Sequence, residues 1–404
     1  MLLAIGIADP AQARIFHCGS GDVFCLIASI RSANERPGSD TIILEAGTYT
    51  LTVVDNLRDG ANGLPSVIGR LTILGAGAAA TIIERNPLTF PNFRILHIEA
   101  TGTLTLHGIT IQGGGLSTQG DPSTLGGAGI FNRGTLTVSH SVVRSNSRLF
   151  DFGGAIQNLA TLTIVDSRIT GNFAPQGFGG GIESRGSLQI LRSTIEDSDA
   201  GICGGIAVSG TTTIKDSTIS SNGADFSGGL CAVDGTTIII NTTIANNIDG
   251  GLTVFDDAAV RLINVTIADN LAVGPVGGGG ILAAGVVQLQ NSILARNSIS
   301  ASVPGSGRDC LGTITSLGNN IISDTTDCTI DLVSSDFVGD AGLGAFVDNG
   351  TPGGGYIPLL AESPAIDAAN RAACPPRDQL GQRRIDGDGN GRKLCDIGAI
   401  EFVP

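Results

Sequence analysis

Four side chains in one stretch have the types and spacing for acid–base work on a sugar. Glu183 and Arg185 stand two residues apart, and Asp197 and Asp199 flank Ser198. The preceding segment has Gly171 and Phe173 around Asn172 at the matching place, with Asp166 and Arg168 nearby. Two carboxylates a few ångströms apart can divide general acid and base roles on a glycosidic bond. An Arg beside carboxylates can instead take a proton from an acidic sugar, with Ca²⁺ as helper. The competing reading is a solvated polar face with exposed ion pairs, because charges must face water in any fold. A second candidate is Asp386-Gly387-Asp388-Gly389-Asn390-Gly391, the D-x-D-x-N-G half of a calcium loop. Its twelfth position holds Ile397 rather than Glu, with Asp396 beside it. The expected calcium set is therefore Asp386, Asp388, Asn390 and Asp396, set against a plain Asp/Gly/Asn turn. Asp256-Asp257 reads as a turn. His17, His97, His107 and His140 are scattered and show no Ser or Cys nucleophile pattern.

Composition narrows what these groups can serve. The 404 residues carry a net charge of −14 and only two lysines, Lys215 and Lys393, which argues against a nucleic-acid partner. A hydrophobic fraction of 41% is too high for a disordered chain, and the 60 glycines lack the three-residue period of collagen. No apolar run reaches membrane-spanning length. The absence of Trp and the presence of only two Tyr weigh against a processive polysaccharide enzyme. Phe152 and Phe178 directly precede glycine pairs and read as interior stacking residues.

Leu2–Ala8 followed by Ala11-Gln12-Ala13 reads as the tail of a secretory leader, residues 1–13. The eight cysteines fall in sequence-local pairs: Cys18/Cys25, Cys203/Cys231, Cys310/Cys328 and Cys374/Cys395. None sits in a C-x-x-C pair and no His lies at metal-ligand spacing, so zinc is not expected and calcium is the one candidate cofactor; an exported chain with disulfides is expected, though eight cysteines leave other pairings open.

An internal repeat must position all of these groups. Ile130, Ile156, Ile182, Ile206, Leu230, Leu252 and Ile281 each follow a Gly-rich phrase, 22 to 29 residues apart. Each unit holds three short alternating pieces, such as Ala155–Gln157, Thr161–Ile164 and Arg168–Thr170. Three strands per turn predict a right-handed parallel β-helix whose turns stack at about 4.8 Å. Asn146, Asn172, Asn222, Asn247, Asn270 and Asn297 recur at one position, with Ser198 interrupting, and predict a hydrogen-bonded ladder. Thr194, Thr218, Thr243 and Thr266 predict an outward column, a flat face for ice or a crystalline glycan or simply good strand residues. His107 and His140 are placed in the turn column of Asp166, Asp216 and Asn241. Leu26, Ile30 and Ala33 fit one face of a short helix that plugs the N-terminal end.

Two end motifs carry a resemblance. Cys25–Asn34, Asp40-Thr41-Ile42 and Ala46-Gly47-Thr48-Tyr49 resemble the Cys-Ser-Leu-Arg-Glu-Ala module of secreted bacterial β-helix proteins, with Leu71–Gly77 and Thr81–Ile83 similar to its continuation. Here Cys25-Leu26-Ile27-Ala28-Ser29 replaces the Arg-Glu of that motif. Ser363–Asp367, Asp378-Gln379, Cys395–Ala399 and Glu401 resemble the choice-of-anchor Q signature. The resemblance implies an exported, pectin-lyase-like solenoid, a group that includes adhesins and polysaccharide-degrading enzymes alike. The expected organisation is a β-helix with its cap over residues 14–300 and a disulfide-braced extension over 301–404. The expected function is a secreted or surface-displayed monomeric scaffold that binds a polysaccharide or another cell-surface component. The alternative is a polysaccharide lyase or glycoside hydrolase.

Overall fold

The computed structural model describes residues 12–116, 126–149, 153–273, 277–300, 308–387, 389, 391 and 393–404. The leader reading falls almost wholly outside them. The alternating pieces form three parallel sheets wound around one axis. In one turn, Ile156–Asn158 lies on sheet 1, Thr161–Val165 on sheet 2 and Arg168–Thr170 on sheet 3. Each strand pairs with its counterpart one turn on: Ile156 with Ile182, Leu162 with Leu188, Ile169 with Ile195. A short fourth ribbon, Phe173–Ala174 in this turn, closes the loop. About 11 turns stack in this way. The fold is a right-handed parallel β-helix.

Alternation explains the core. Ile130, Ile156, Ile182, Ile206, Leu230, Leu252 and Ile281 are all fully buried and aligned in register. The Asn ladder is present. Asn146 donates from its backbone N–H and its amide to Asn172 Oδ1, and the pattern repeats through Asn222, Asn247, Asn270 and Asn297 to Asp309. A second ladder, absent from the sequence reading, lines the corner between sheets 2 and 3. There Ser141, Ser167 and Ser193 each donate a backbone N–H to the next hydroxyl, ending at Ser217. The corner residue just before it is left-handed in turn after turn, at His140, Asp166, Arg192, Asp216, Asn241, Asn264, Asn291 and Asn319. Asn and Asp tolerate that conformation because their side chains bond locally. His107 does not belong to this column. It pairs in register with Ser139, and Gly108 makes the corner.

The N-terminal end is plugged by the helix Val23–Asn34, which buries Leu26, Ser29, Ile30 and Ala33; Asp22 caps it by accepting the Cys25 N–H at 2.9 Å. All four sequence-local disulfides form, with Cα separations of 5.4 to 6.5 Å.

Two expectations change. The coil does not stop at 300. Cys310–Ser316, Ile321–Ile322, Cys328–Ile330 and Phe337–Val338 continue the sheets in register. These last turns lack the glycine phrase and are short, so periodicity alone does not reveal them. The extension that leaves the coil begins near residue 340. The Thr column is also not an open face. Thr194, Thr218, Thr243 and Thr266 are at most 2% exposed, because the extension lies on them. Thr194 Oγ1 accepts the Gly353 N–H, Thr218 Oγ1 donates to Gly355 O, Thr243 Oγ1 donates to Gln379 Oε1 and Thr266 Oγ1 accepts the Ala399 N–H. Asn241, Asn264 and Asn291 donate their amides to Arg377 O, Asp396 O and Asn370 O of the same segment.

Candidate functional site

Glu183 is the centre of the sheet 1 strand Ile182–Ser184, so it points away from the core. It occupies the outward row of Phe131, Gln157, Ala207, Cys231 and Thr253. That row is nevertheless buried, because the glycine phrases before each strand fold back beside it. Phe178, Cys203 and Ser227 stack there as bridges, and the Cys203–Cys231 disulfide ties them to the sheet. The result is a cleft of about 420 Å³ lined by Phe178, Glu183, Arg185, Ser209, Val233 and Asp234 among others. Phe178 is therefore a cleft wall and not an interior stacking residue; Phe152 lies outside the described residues.

The electrostatics single out Glu183. Its Oε1 accepts the Arg185 Nε–H at 2.6 Å. Its Oε2 and the neighbouring Gln157 Oε1 are both buried without a partner. Burial raises its pKa; the Arg185 charge and hydrogen bonds from Gln157 and Arg185 oppose the rise. Burial thus favours the neutral acid, while the Arg185 charge and the hydrogen bonds favour the carboxylate. Asp234 lines the same cleft but is exposed. Asp234 was not singled out from sequence: Val233 makes a register shift in the strand, so Asp234 rather than the preceding residue aligns with Ser209.

The four expected catalytic residues do not converge. Glu183 and Arg185 share the cleft; Asp197 and Asp199 do not line it. Asp197 is an exposed left-handed corner residue. Asp199 sits on the fourth ribbon, where burial and then the Asp225 charge raise its pKa. Neither acts on Glu183. Asp166 binds Arg192 through two hydrogen bonds, and Arg168 pairs with Glu196 at 2.6 Å.

A larger groove, about 680 Å³, runs beneath the extension along Asp166, Arg192, Lys215, Asp216 and Arg377. It is the weaker candidate because its charges are already matched, Asp166 with Arg192 and Lys215 with Asp216 at 3.8 Å. Ser66, His97 and Asp59 also come together, a grouping invisible in the sequence. Ser66 Oγ lies 2.9 Å from His97 Nδ1, and His97 Nε2 lies 3.2 Å from Asp59 Oδ2. Ser66 is only 7% exposed and donates to Asn56 Oδ1, so it is no accessible nucleophile.

In the expected calcium loop, Asp386 Oδ2 accepts the Gly391 N–H at 2.7 Å. Asp388 and Asn390 lie outside the described residues. Asp396 is fully buried, and its two oxygens accept the backbone N–H groups of Asp367 and Phe402. Its carboxylate thus holds the extension together. Burial pushes its pKa up to about 7; the two N–H groups oppose this, and Glu401 and Asp367 add to it. The folded chain then binds a proton that the unfolded chain releases near the ordinary Asp value of 3.8. This stabilisation is full below about pH 4 and is lost as pH rises toward 7, at roughly 1.4 kcal/mol per pH unit. Asp396→Asn is expected to flatten the fall in stability over that window. Urea titrations at pH 4.5 and 7.5 check it, and equal slopes in variant and parent would count against the assignment.

Residues 73–238 match the family model described as the right-handed β-helix region. The A-module of the Azotobacter vinelandii mannuronan C-5 epimerase AlgE4 aligns with 81% of this chain and 100% of its own, at 15% identity and a TM-score of 0.36. The PL6-family alginate lyase AlyGC aligns with 96% of this chain and 59% of its own, at 13% identity and a TM-score of 0.31. No curated protein matches the sequence.

Proposed function

We propose that the protein is a secreted or surface-displayed β-helix that binds a polysaccharide across the Glu183 cleft. The observation that carries this reading is a buried carboxyl with one unpartnered oxygen, held by Arg185 in an open cleft. A buried polar atom left without a partner costs about 1–3 kcal/mol, and a ligand donor in the cleft would offset that cost. Arg185 suits a sugar carboxylate or hydroxyl pair, and the Phe178 ring offers an apolar wall for a pyranose face. Four disulfides fit an oxidising compartment, and no helix among the described residues is long and apolar enough to cross a membrane. The end motifs add the reading of an exported chain with a surface-associated C-terminal segment.

A second reading, glycoside hydrolysis, is favoured by one feature of the same cleft. Glu183 has the raised pKa of a general acid, and Asp234 is a solvated carboxylate two turns along the axis. Asp234 lies two interstrand spacings away along the axis and two register positions further along the strand, so their backbones are roughly 12 Å apart.

Binding and reducing-end assays on a panel of acidic and neutral polysaccharides, with Ca²⁺ and with chelator, separate the readings. Retention without new ends supports the scaffold; new reducing ends support hydrolysis. In either case Glu183→Gln is expected to lower the signal at least tenfold while thermal stability stays within a few degrees, and Asp199→Asn is expected to change nothing. A full signal from Glu183→Gln would sink both readings.

A further inference from the structure

The N-terminal part of sheet 1 holds a second polar cluster, separate from the Glu183 cleft. His97 is the centre of the strand Leu96–Ile98 and points outward in the same row as Glu183. Glu99 follows two residues later. Asp59 arrives from the 55–62 loop, which folds back on itself through mutual backbone hydrogen bonds between Asn56 and Asn62. His97 is fully buried, stacked on Phe131 with ring centroids 5.5 Å apart.

Hydrogen bonding orients the ring. Ser66 Oγ donates to Asn56 Oδ1 at 3.1 Å, so it is free to accept from His97 Nδ1–H at 2.9 Å. That leaves the lone pair on Nε2. This atom is buried and makes no hydrogen bond, although Asp59 Oδ2 lies 3.2 Å away. With the proton on Nδ1, Nε2 and the carboxylate oxygen are two acceptors facing each other, so Asp59 does not satisfy the ring nitrogen. Ligand atoms of Asp59, His97 and Glu99 all lie within 4.8 Å of one another.

We propose that Asp59, His97 and Glu99 form a binding site for a divalent transition cation of the zinc type. Tetrahedral ligands at about 2.0–2.1 Å from such an ion are about 3.3 Å apart, close to the His97–Asp59 separation. Two acceptor atoms at that separation cannot bond each other, and one cation between them satisfies both. An imidazole with two carboxylates selects zinc over calcium, and the Ser66 contact supplies the outer hydrogen bond that orients a metal-bound His. All cysteines are in disulfides, so no thiolate competes. Arg133 and Arg58 now pair with Asp59 and Glu99 at 2.7 and 2.9 Å. Both guanidiniums are substantially exposed, and each carboxylate keeps other lone pairs for them. The fully buried Arg94 beside the site opposes a dication and weakens the affinity relative to a closed structural site.

Equilibrium dialysis of the full chain against Zn²⁺, read by elemental analysis and by competition with a chromogenic chelator, tests this. One zinc per chain is expected. Asp59→Asn keeps a residue that tolerates the left-handed backbone, and Glu99→Gln keeps shape; each is expected to weaken binding at least tenfold. His97→Gln should do the same, and the other two variants keep the test valid where that one fails to fold. His107 and His140 are a decoy pair with ring centroids 4.9 Å apart. Their double alanine variant is expected to bind zinc unchanged. No stoichiometric zinc, or zinc lost from the decoy variant but kept in Asp59→Asn, overturns the proposal.

Discussion

Asn247→Ala is expected to destabilise the solenoid by roughly 3–5 kcal/mol, the upper end for a single substitution. Asn247 Oδ1 accepts both the backbone N–H and the amide of Asn222. Its amide donates to Ile219 O at 3.1 Å and to Asn270 Oδ1 at 2.9 Å. All three asparagines are fully buried. Alanine therefore strands donors and acceptors on two neighbouring turns at once, and water cannot reach them. A solenoid feels this locally, because each turn contacts only its neighbours. Asn247→Ser should cost less, because Ser198 already fills the same column and keeps the chain connected. Denaturant unfolding checks the order Asn, Ser, Ala. A loss under about 1 kcal/mol for alanine would mean that the ladder is decorative.

Gln379→Ala is expected to loosen the C-terminal extension, at a cost of about 2–4 kcal/mol. Gln379 is 4% exposed and lies between the extension and the Thr column. Its Oε1 accepts Thr243 Oγ1–H at 2.7 Å. Its Nε2 donates to Gly355 O at 2.6 Å, to Gly353 O at 2.9 Å and to Thr218 Oγ1 at 3.2 Å. One side chain thus joins two turns of the coil to two segments of the extension. Truncation leaves the Thr243 hydroxyl and the Gly353 carbonyl without partners, while Gly355 O keeps the Thr218 hydroxyl. The expected signature is faster proteolysis beyond residue 340 and faster amide exchange there, with exchange in the Asn ladder unchanged. Loss of protection in both regions together would show that coil and extension unfold as one unit.

The repeat was legible because its causes are local. Inward aliphatics at alternate positions, glycines at close approaches and asparagines at one corner each announce themselves within a single turn. The sequence-local disulfides and the N-terminal helix are local in the same sense: Cys18 and Cys25 are seven residues apart, and Leu26, Ile30 and Ala33 share one helical face. The candidate site was half legible. Glu183 and Arg185 are two residues apart on one strand end and meet as expected. Asp197 and Asp199 fail because the chain turns a corner, so nearness in sequence carries them to another face. Asp234 joins the cleft only through stacking of turns and a one-residue register shift.

Periodicity and composition were thus sufficient for the architecture, whereas the pairing of the eight cysteines, left open by their number, was settled by the folded chain. Which outward surfaces stay outward was settled only by the folded chain. The Thr column has the pattern of an exposed strand face, yet the extension covers it through contacts such as Thr243 to Gln379, 136 residues away. His97 and Glu183 point away from the core by strand alternation, yet loops folded over sheet 1 bury both. Alternation specifies the direction of a side chain relative to its own strand. Solvent exposure depends on what the rest of the chain brings to that face, and no local period encodes it.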